Sequence, residues 1–226
     1  MKVSIVIPAF NNWNYTKQAI NDLFFLPIDH EIILIDNGSQ DYTKHLNHDR
    51  VQIIRNRTNK GYAKASNQGY ERSRGEYIIF LNNDIKVKLG SYDDWTEPLL
   101  NQASTGALVS PTAGLLTAFG EFQRESDTLE AGNSYLSAWC LCGLRSTYQK
   151  LTAENSPGPF SEDYGLGFFE DVDLSFRAKE LGIELIVQPI NVHHFGHQTA
   201  KLLGTNKLYS FAKAVFVKKW LSNVEF

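Results

Sequence analysis

The sequence predicts a single α/β domain with a mostly parallel sheet flanked by helices. In its first hundred residues, short runs rich in valine and isoleucine alternate with longer segments that have helical spacing. Strand, helix and strand in repeated order indicate parallel strands joined by right-handed crossovers. A chain of 226 residues is long enough to bury one full core, so we expect one domain over residues 1–226.

The elements of the first half follow from the apolar pattern. Residues 14–26 and 62–74 have the length and spacing of helices. One face of the first carries Ala19, Ile20, Leu23 and Phe24. The strands around them are short apolar runs typical of a buried sheet. These runs are residues 3–8, 31–36, 51–56 and 76–84.

In the second half the alternation fades. Residues 110–137 show no clean period, and residues 153–167 are rich in glycine and proline. We expect both segments to be binding loops or lids, the usual role of long irregular stretches in a compact domain. A helix that contains Asp171 and ends at Gly182 follows, and then a strand at residues 183–189.

Residues 208–221 have the pattern of an amphipathic helix. We expect it to pack against the domain; contact with a membrane surface through Lys213, Lys218 and Lys219 is the less favoured alternative. No apolar run approaches the ~20 residues that span a bilayer, and proline breaks the opening segment too soon for a signal peptide. We therefore expect a cytoplasmic protein with at most peripheral membrane contact.

Composition narrows the function classes. The chain carries 22 lysines and arginines against 25 aspartates and glutamates, for a net charge of −3, without a sustained basic block. This balance argues against nucleic acid as the main partner. Because one residue separates Cys140 from Cys142, we expect the two to point to opposite faces of a strand and to stay reduced, as in a cytoplasmic protein.

Polar and small residues follow three of the predicted strands. In a parallel sheet the carboxyl ends of neighbouring strands share one edge, and ligands bind beyond it. Asparagine, aspartate and glycine are also ordinary turn residues, but their agreement at three strand ends favours a binding site. The three groups are Pro8-Ala9-Phe10-Asn11, Asp36-Asn37-Gly38-Ser39 and Asn82-Asn83-Asp84.

Asp84 is the candidate for a metal site. A lone carboxylate at a strand end suits Mg²⁺ or Mn²⁺ that is held mostly by substrate phosphates. The later stretch VHHFGHQT supplies His193, His194 and His197, any of which could add a nitrogen ligand. The histidines could instead be structural or bind zinc, although the two cysteines lack the C-x₂-C spacing of a zinc site.

Asp36 stands where a carboxylate could accept hydrogen bonds from a nucleobase N–H or a ribose hydroxyl. Dinucleotide folds also use an acid in this region. A hydride-transfer enzyme, however, should carry G-x-G-x-x-G after the first strand, where this chain has PAFNNWN. The P-loop pattern G-x-x-x-x-G-K-[ST] does not occur either.

Three acids, Glu170, Asp171 and Asp173, open the predicted helix directly after Phe168 and Phe169. Acids in a first helical turn complement the helix dipole and cap free backbone N–H groups. Taken by themselves, these residues are most simply interpreted as helix caps.

Six stretches occur in a characteristic order, namely SIVIPAFN, EIILIDNGSQDYT, NKGYAKASNQG, FLNND, FFEDVDLSFRAKELG and VHHFGH. Together they resemble the inverting nucleotide-sugar glycosyltransferases of family 2, which have the GT-A fold with a Rossmann-like, mostly parallel sheet. The resemblance covers nearly the whole chain. It implies a nucleotide-sugar-binding half at residues 1–105 and an acceptor-binding and catalytic half at residues 106–226.

The resemblance also implies which residues contact the nucleotide, with Asp36 holding the base. These contacts would come from Pro8, Ala9, Phe10, Asp36, Asn59, Gly61, Asn67, Asn82 and Asn83. At the D-x-D position an asparagine replaces the first acid, so Asp84 would be the carboxylate ligand of Mn²⁺ or Mg²⁺. His194 best matches the histidine of the late H-x-x-G pattern, although His197 stands where glycine is usual.

The pair Glu170-Asp171 matches the family's acidic pair. By this resemblance Asp171 would be the general base that takes the acceptor hydroxyl proton as the oxygen attacks the anomeric carbon. Asp173 would cap the helix. The side chains that would wall the sugar or the acceptor are Trp139, Phe168 and Phe169.

The predicted function is metal-dependent, inverting transfer of a hexosyl or deoxyhexosyl group in polysaccharide biosynthesis. The donor would be a UDP-, dTDP- or GDP-sugar, and the acceptor a hydroxyl of a glycan, a lipid-linked sugar or a cell-surface polysaccharide. A sugar nucleotidyltransferase, the first alternative, should show a glycine-rich loop with arginine and lysine after the first strand. The second alternative is a non-catalytic nucleotide- or carbohydrate-binding module, against which Asp84, Asp171 and the histidine cluster argue.

Overall fold

The computed structural model describes residues 2–88, 94–196, 198 and 205–222. Within these residues the helices are α1 Trp13–Leu23, α2 Tyr62–Arg72, α3 Glu97–Ala103, α4 Arg145–Lys150, α5 Glu170–Glu180 and α6 Thr205–Phe216. The strands are β1 Val3–Ala9, β2 His30–Asp36, β3 Val51–Arg55, β4 Tyr77–Leu81, β5 Ile85–Val87, β6 Leu108–Ser110, β7 Ala113–Leu116, β8 Phe122–Ser126, β9 Asn133–Leu136, β10 Cys140–Leu144, β11 Leu185–Val187 and β12 Val192–His194. Short 3-10 turns lie at Tyr42–His45 and Glu162–Tyr164, and a π-helical turn at Val217–Leu221 continues α6.

The main sheet has the strand order β11-β6-β10-β4-β1-β2-β3 among the described residues. Four of its strand pairs are parallel, and β10 runs antiparallel to both β4 and β6. The predicted mostly parallel sheet is therefore confirmed. The strands predicted in the first half are present, because their valines and isoleucines are buried on both faces of the sheet, as in β1, where Val3, Ile5, Val6 and Ile7 are all 0% exposed.

The helices on this sheet match the predicted periodicity. In α1 the packed face consists of Thr16, Ala19, Ile20 and Leu23. In the C-terminal region α6 packs against the domain through Ala212 and Phe216, both 0% exposed. Within the described part of the chain, no helix combines the length and the apolar character needed to cross a membrane.

The expectation of an irregular loop at residues 110–137 is wrong. Strands β7, β8 and β9 form a separate antiparallel sheet in the order β8-β7-β9. The sequence hides it because the first four residues of β8 are all exposed, so the apolar alternation that marks a strand is missing. Residues 153–167, by contrast, contain only the short turn Glu162–Tyr164 among regular elements, as expected.

The expected orientation of the cysteines is also wrong. Cys140 and Cys142 lie two positions apart in β10, and residues with that spacing share one face of a strand. Both are fully buried in the core cluster that contains Trp139, whereas Leu141 packs in the core on the other side of the sheet. Both thiols are free in the described structure.

Candidate active site

The ends of β1 and β2 are tied to each other by hydrogen bonds. The Asn37 N–H donates to Ala9 O at 2.7 Å, and the Asn11 N–H donates to Ser39 Oγ at 2.8 Å. Asn11 and Asn12 have positive φ angles of 55° and 59°, a conformation that asparagine tolerates better than most residues. The turn after β1 is thus fixed against the turn after β2.

Asp36 ends β2 and is 2% exposed. Its Oδ1 accepts the Ser39 N–H at 3.0 Å, and its Oδ2 lies 3.9 Å from Arg55 Nε. Pro8 and Ala9 of the predicted pocket lie beside it on β1, with Ala9 in register with Asp36, and Phe10 follows the strand. A carboxylate oxygen accepts more than one hydrogen bond, so Oδ2 keeps acceptor capacity for a ligand N–H or O–H.

Asn59 and Gly61 shape the loop before α2. Asn59 Oδ1 accepts hydrogen bonds from Asn37 Nδ2 and from the Gly61 N–H, both at 2.9 Å. Gly61 has a φ of +90°, and a Cβ at this position would lie 2.2 Å from Gly165 O. Only glycine combines that backbone conformation with so close a crossing, so the two loops pack directly on each other.

Asn67 is 0% exposed in α2. Its Nδ2 donates to Phe160 O at 2.8 Å, and its Oδ1 accepts the Phe160 N–H at 3.1 Å. The amide is therefore occupied on both sides and anchors residues 153–167 to α2. We leave Asn67 out of the proposed nucleotide contacts.

Asp84 and His194 form a pair at the end of β4. Asp84 is 4% exposed, and its Oδ1 lies 3.2 Å from His194 Nε2. Asn82 Nδ2 lies 3.2 Å from the same nitrogen. The pairing of β12 with β5 produces this contact, because His194 is in register with Ile85, the residue after Asp84.

The other candidates for this cluster lie elsewhere. Asn83 Nδ2 donates to Thr16 Oγ1 at 2.9 Å, which ties the turn to α1. His193 is exposed, and its ring contacts Phe195. His197 lies outside the described residues.

The Asp84–His194 pair suits a metal that is shared with a ligand. Residues 2–88, 94–196, 198 and 205–222 contain no group of three or more histidine, cysteine, aspartate or glutamate side chains that could hold an ion. One carboxylate and one imidazole leave most coordination positions to phosphate oxygens and water. Mn²⁺ accepts such a mixed set, and Mg²⁺ commonly binds through one or two carboxylates plus phosphates.

The start of α5 places Asp171 and Glu170 by an unusual backbone path. Phe168 and Phe169 both have positive φ, at 74° and 65°, a conformation that bulky residues rarely adopt and that concentrates at functional sites. Asp171 Oδ1 accepts the Val172 N–H at 2.9 Å, and its Oδ2 accepts the Ala138 N–H at 3.3 Å.

The two acids have different pKa values. Burial raises the pKa of Asp171 to about 6, against the opposing effect of the backbone N–H groups that bind it. Burial and the neighbouring Asp171 charge raise the pKa of Glu170 to about 8. Glu170 Oε2 is buried and has no hydrogen-bond partner among the described residues. Glu170 therefore holds its proton to higher pH than Asp171 does.

Residues 138 and 139 connect the acidic pair, Glu170 and Asp171, to the Asp84–His194 pair. The Ala138 N–H donates to Asp171 Oδ2. The ring of the next residue, Trp139, stacks on the His194 ring, with centroids 4.8 Å apart and an interplanar angle of 9°. The Asn82 N–H donates to Trp139 O at 2.7 Å. Trp139 is 6% exposed, and its Nε1 donates to Thr112 Oγ1 at 2.8 Å. One short segment thus contacts both clusters.

The two phenylalanines occupy different surroundings. Phe169 is 4% exposed and packs against Tyr209 and Phe216, with ring centroids 5.4 and 5.1 Å apart. Phe168 is half-buried and meets the Tyr209 ring edge-on. Phe169 is thus a core residue, and Phe168 is the member of the pair with surface available to a ligand.

The expected capping role of Asp173 is wrong. Its buried carboxylate accepts hydrogen bonds from Tyr164 Oη at 3.0 Å, Arg177 Nε at 2.8 Å and Trp220 Nε1 at 2.9 Å. Lys219 Nζ lies 2.7 Å from the same carboxylate. Asp173 therefore joins α5 to the π-helical turn after α6, and the cations keep its pKa lowered although burial opposes this.

Structural comparison assigns this architecture to the GT-A fold. S. aureus TarS residues 1–349 in complex with UDP-GlcNAc superpose with a TM-score of 0.60 at 17% identity, covering 100% of this chain and 68% of that one. The mannosyltransferase PcManGT from Pyrobaculum calidifontis, in complex with GDP-Man and Mn²⁺, gives a TM-score of 0.59 at 13% identity, covering 83% of this chain and 55% of that one.

Sequence comparison defines the family. The glycosyl transferase family 2 model matches residues 4–128, more than half of the chain. The chain therefore belongs to glycosyl transferase family 2. The pre-mycofactocin glycosyltransferase of Mycobacterium tuberculosis is 28% identical over 221 residues, covering 87% of this chain and 43% of the relative. The putative teichuronic acid biosynthesis glycosyltransferase TuaG of Bacillus subtilis is 26% identical over 108 residues, covering 45% of this chain and 43% of the relative. The chain spans less than half the length of each of these relatives.

Replacing Glu170 tests the unusual ionisation of the acidic pair. Its pKa is raised from 4.5 to about 8 in the folded protein, so the folded state holds this proton more tightly than the unfolded state. The wild-type free energy of unfolding should therefore fall as pH rises through the window from about 4.5 to about 8. Glu170→Gln has no such proton, so its free energy of unfolding relative to wild type should increase from the low end to the high end of the window in denaturant titrations. Glu154→Gln, at an exposed glutamate, is the control; the same pH trend in both variants would contradict the assignment.

Proposed function

We propose that this protein is a metal-dependent, inverting glycosyltransferase that moves a sugar from a nucleoside diphosphate sugar to an acceptor hydroxyl. The observation that carries the proposal is that residues 138 and 139 contact both the acidic pair and the Asp84–His194 pair. Through these two residues, the Asp171 carboxylate, which can accept a proton, is held near the Asp84–His194 pair, which would bind a metal ion on the diphosphate. Family membership supports transfer chemistry in general.

In the proposed reaction the acceptor oxygen attacks the anomeric carbon as its proton passes to the Asp171 carboxylate. The bond from the anomeric carbon to the diphosphate oxygen breaks, and the nucleoside diphosphate leaves with the bonding electrons. A pKa of about 6 keeps Asp171 ionised at neutral pH while leaving it basic enough to share a proton in the transition state. One displacement from the face opposite the leaving group inverts the anomeric centre.

Glu170 limits the negative charge beside the base. If both acids were ionised, two like charges would adjoin in a buried site. Because the pKa of Glu170 is raised further than that of Asp171, Glu170 ionises after it, and a single negative charge would meet the acceptor.

Asp84 and His194 would hold Mn²⁺ or Mg²⁺, which offsets charge on the departing diphosphate. His194 Nε2 has a single lone pair, so in the metal complex it would bind the ion instead of the Asn82 amide, whose Nδ2 lies 3.2 Å away here. The presence of GDP-Man and Mn²⁺ in the PcManGT complex supports this assignment by analogy.

The nucleotide would lie along the carboxyl ends of β1 and β2. Asp36 Oδ2 would accept a base N–H, and residues 8–10 would line the pocket. The TarS and PcManGT complexes contain UDP-GlcNAc and GDP-Man, so both uridine and guanosine donors are compatible with the fold. The transferred group would be a hexose or deoxyhexose, and the acceptor, a glycan, lipid-linked sugar or polysaccharide hydroxyl, would approach past Phe168.

Removing Asp84 should abolish metal-dependent nucleotide binding. With a nucleoside diphosphate at about 100 times its Kd, Mn²⁺ should permit roughly 2.7 kcal/mol of stabilisation in a thermal-shift assay. The shift should vanish with chelator and in Asp84→Ala, because one imidazole alone holds a shared ion poorly. His193→Ala, at the exposed neighbour of His194, should keep it. Equal shifts for UDP, dTDP and GDP in the presence of chelator would contradict the metal role.

Asp171→Asn should lower sugar transfer by about 10²–10⁴-fold, the usual contribution of a general base. The amide has nearly the same shape as the carboxylate but cannot accept the proton, so metal-dependent nucleotide binding should stay close to wild type. Initial rates at saturating donor measure the loss of sugar transfer. Thermal shifts with nucleotide measure the retained binding. Asp163→Asn, at an exposed aspartate, should keep full activity. Near-normal turnover in Asp171→Asn would remove Asp171 from the role of base.

A further inference from the structure

A tyrosine at the start of α2 hydrogen-bonds a residue that in turn binds Asp171. Tyr62, the first residue of α2, donates its hydroxyl to Ala138 O at 2.7 Å. Ala138 in turn donates its N–H to Asp171 Oδ2 at 3.3 Å. Ala138 is thus held at its carbonyl by a side chain and binds the carboxylate through its amide. Sequence patterns do not show this contact, because the two partners of the first bond are 76 positions apart.

Tyr62 is itself held in place. Its N–H donates to Leu166 O at 3.1 Å, and its ring meets Phe160 edge-on with centroids 5.6 Å apart. Gly61 before it lies against Gly165. The ring therefore has little freedom, and its hydroxyl is directed at Ala138.

The electrostatic surroundings keep this hydroxyl protonated. Burial raises the pKa of Tyr62, and the charges of Glu170 and Asp171 raise it further. Tyr135 also senses both acids; burial and then the Asp171 charge raise its pKa as well. Tyr62 is thus a permanent hydrogen-bond donor at working pH and takes up no proton from the reaction.

We propose that Tyr62 is a positioning residue for the base: it fixes Ala138, and through Ala138 it fixes the orientation and the hydrogen bond of Asp171. The inference rests on the proposed function, since it assigns Tyr62 to the same reaction. Ala138 precedes Trp139, whose ring stacks on His194, so the same hydroxyl steadies the segment that serves both clusters.

The Tyr62→Phe variant isolates the hydroxyl, because the phenyl ring keeps the contact with Phe160. Without the hydroxyl, Ala138 can shift and its N–H bond to Asp171 weakens. Since that bond lowers the pKa of Asp171, the rising limb of the pH profile of kcat should move to higher pH. At neutral pH kcat should fall about tenfold, because small displacements of a catalytic group are costly, while the donor KM stays near wild type.

Tyr148→Phe is the matched control. Tyr148 is fully buried and donates its hydroxyl to Leu141 O at 3.0 Å, a bond of the same kind to the same chain segment. Both variants should lose a similar amount of thermal stability. Only Tyr62→Phe should lower kcat and shift the rising limb of its pH profile. If the two variants match in stability, kcat and pH profile, Tyr62 is structural and the inference is overturned.

The Asp171→Asn variant separates this inference from the proposed function. If Asp171→Asn loses transfer and Tyr62→Phe does not, only the positioning role fails. If Asp171→Asn transfers normally, the base assignment fails, and the positioning role fails with it.

Discussion

The hydrogen bond from the Ala138 N–H to Asp171 Oδ2, at 3.3 Å, joins the parts of the candidate site. Asp171 belongs to the second half of the chain, whereas Asp84 follows a central strand of the first half. The antiparallel insertion of β10 beside β4 brings the two together, because it sets residues 138 and 139 next to the end of β4. The fold thereby relates the proposed proton acceptor to the proposed diphosphate site through the turn that leads into β10.

Three acids in one helical turn have three different states because their neighbours differ. Asp173 faces Arg177 and Lys219 and stays charged as a link between helices. Asp171 accepts hydrogen bonds from backbone N–H groups, and burial keeps its pKa raised. Glu170, buried with an oxygen that lacks a partner among the described residues, has the highest pKa of the three. Surroundings rather than residue type thus divide the acids between structure and proposed chemistry.

The strand ends could be predicted from the sequence, since buried apolar runs and the turn residues after them are local signals. The hydrogen-bond partners of the polar groups could not be predicted. Asn67 belongs to a motif associated with nucleotides, yet its amide binds the Phe160 backbone, 93 positions away. Tyr62 stands inside the stretch NKGYAKASNQG, so the motif marked its neighbourhood without showing its partner. The contact of Ala138 uses a backbone amide, for which a sequence carries no signal.

The stereochemistry of the product tests the central claim most directly. A single displacement, with Asp171 taking the acceptor proton, allows only inversion at the anomeric carbon. The coupling constant of the anomeric proton in a ¹H NMR spectrum, recorded on freshly formed product, reports the configuration of the new bond. The account predicts a configuration opposite to that of the donor sugar; retained configuration would contradict it.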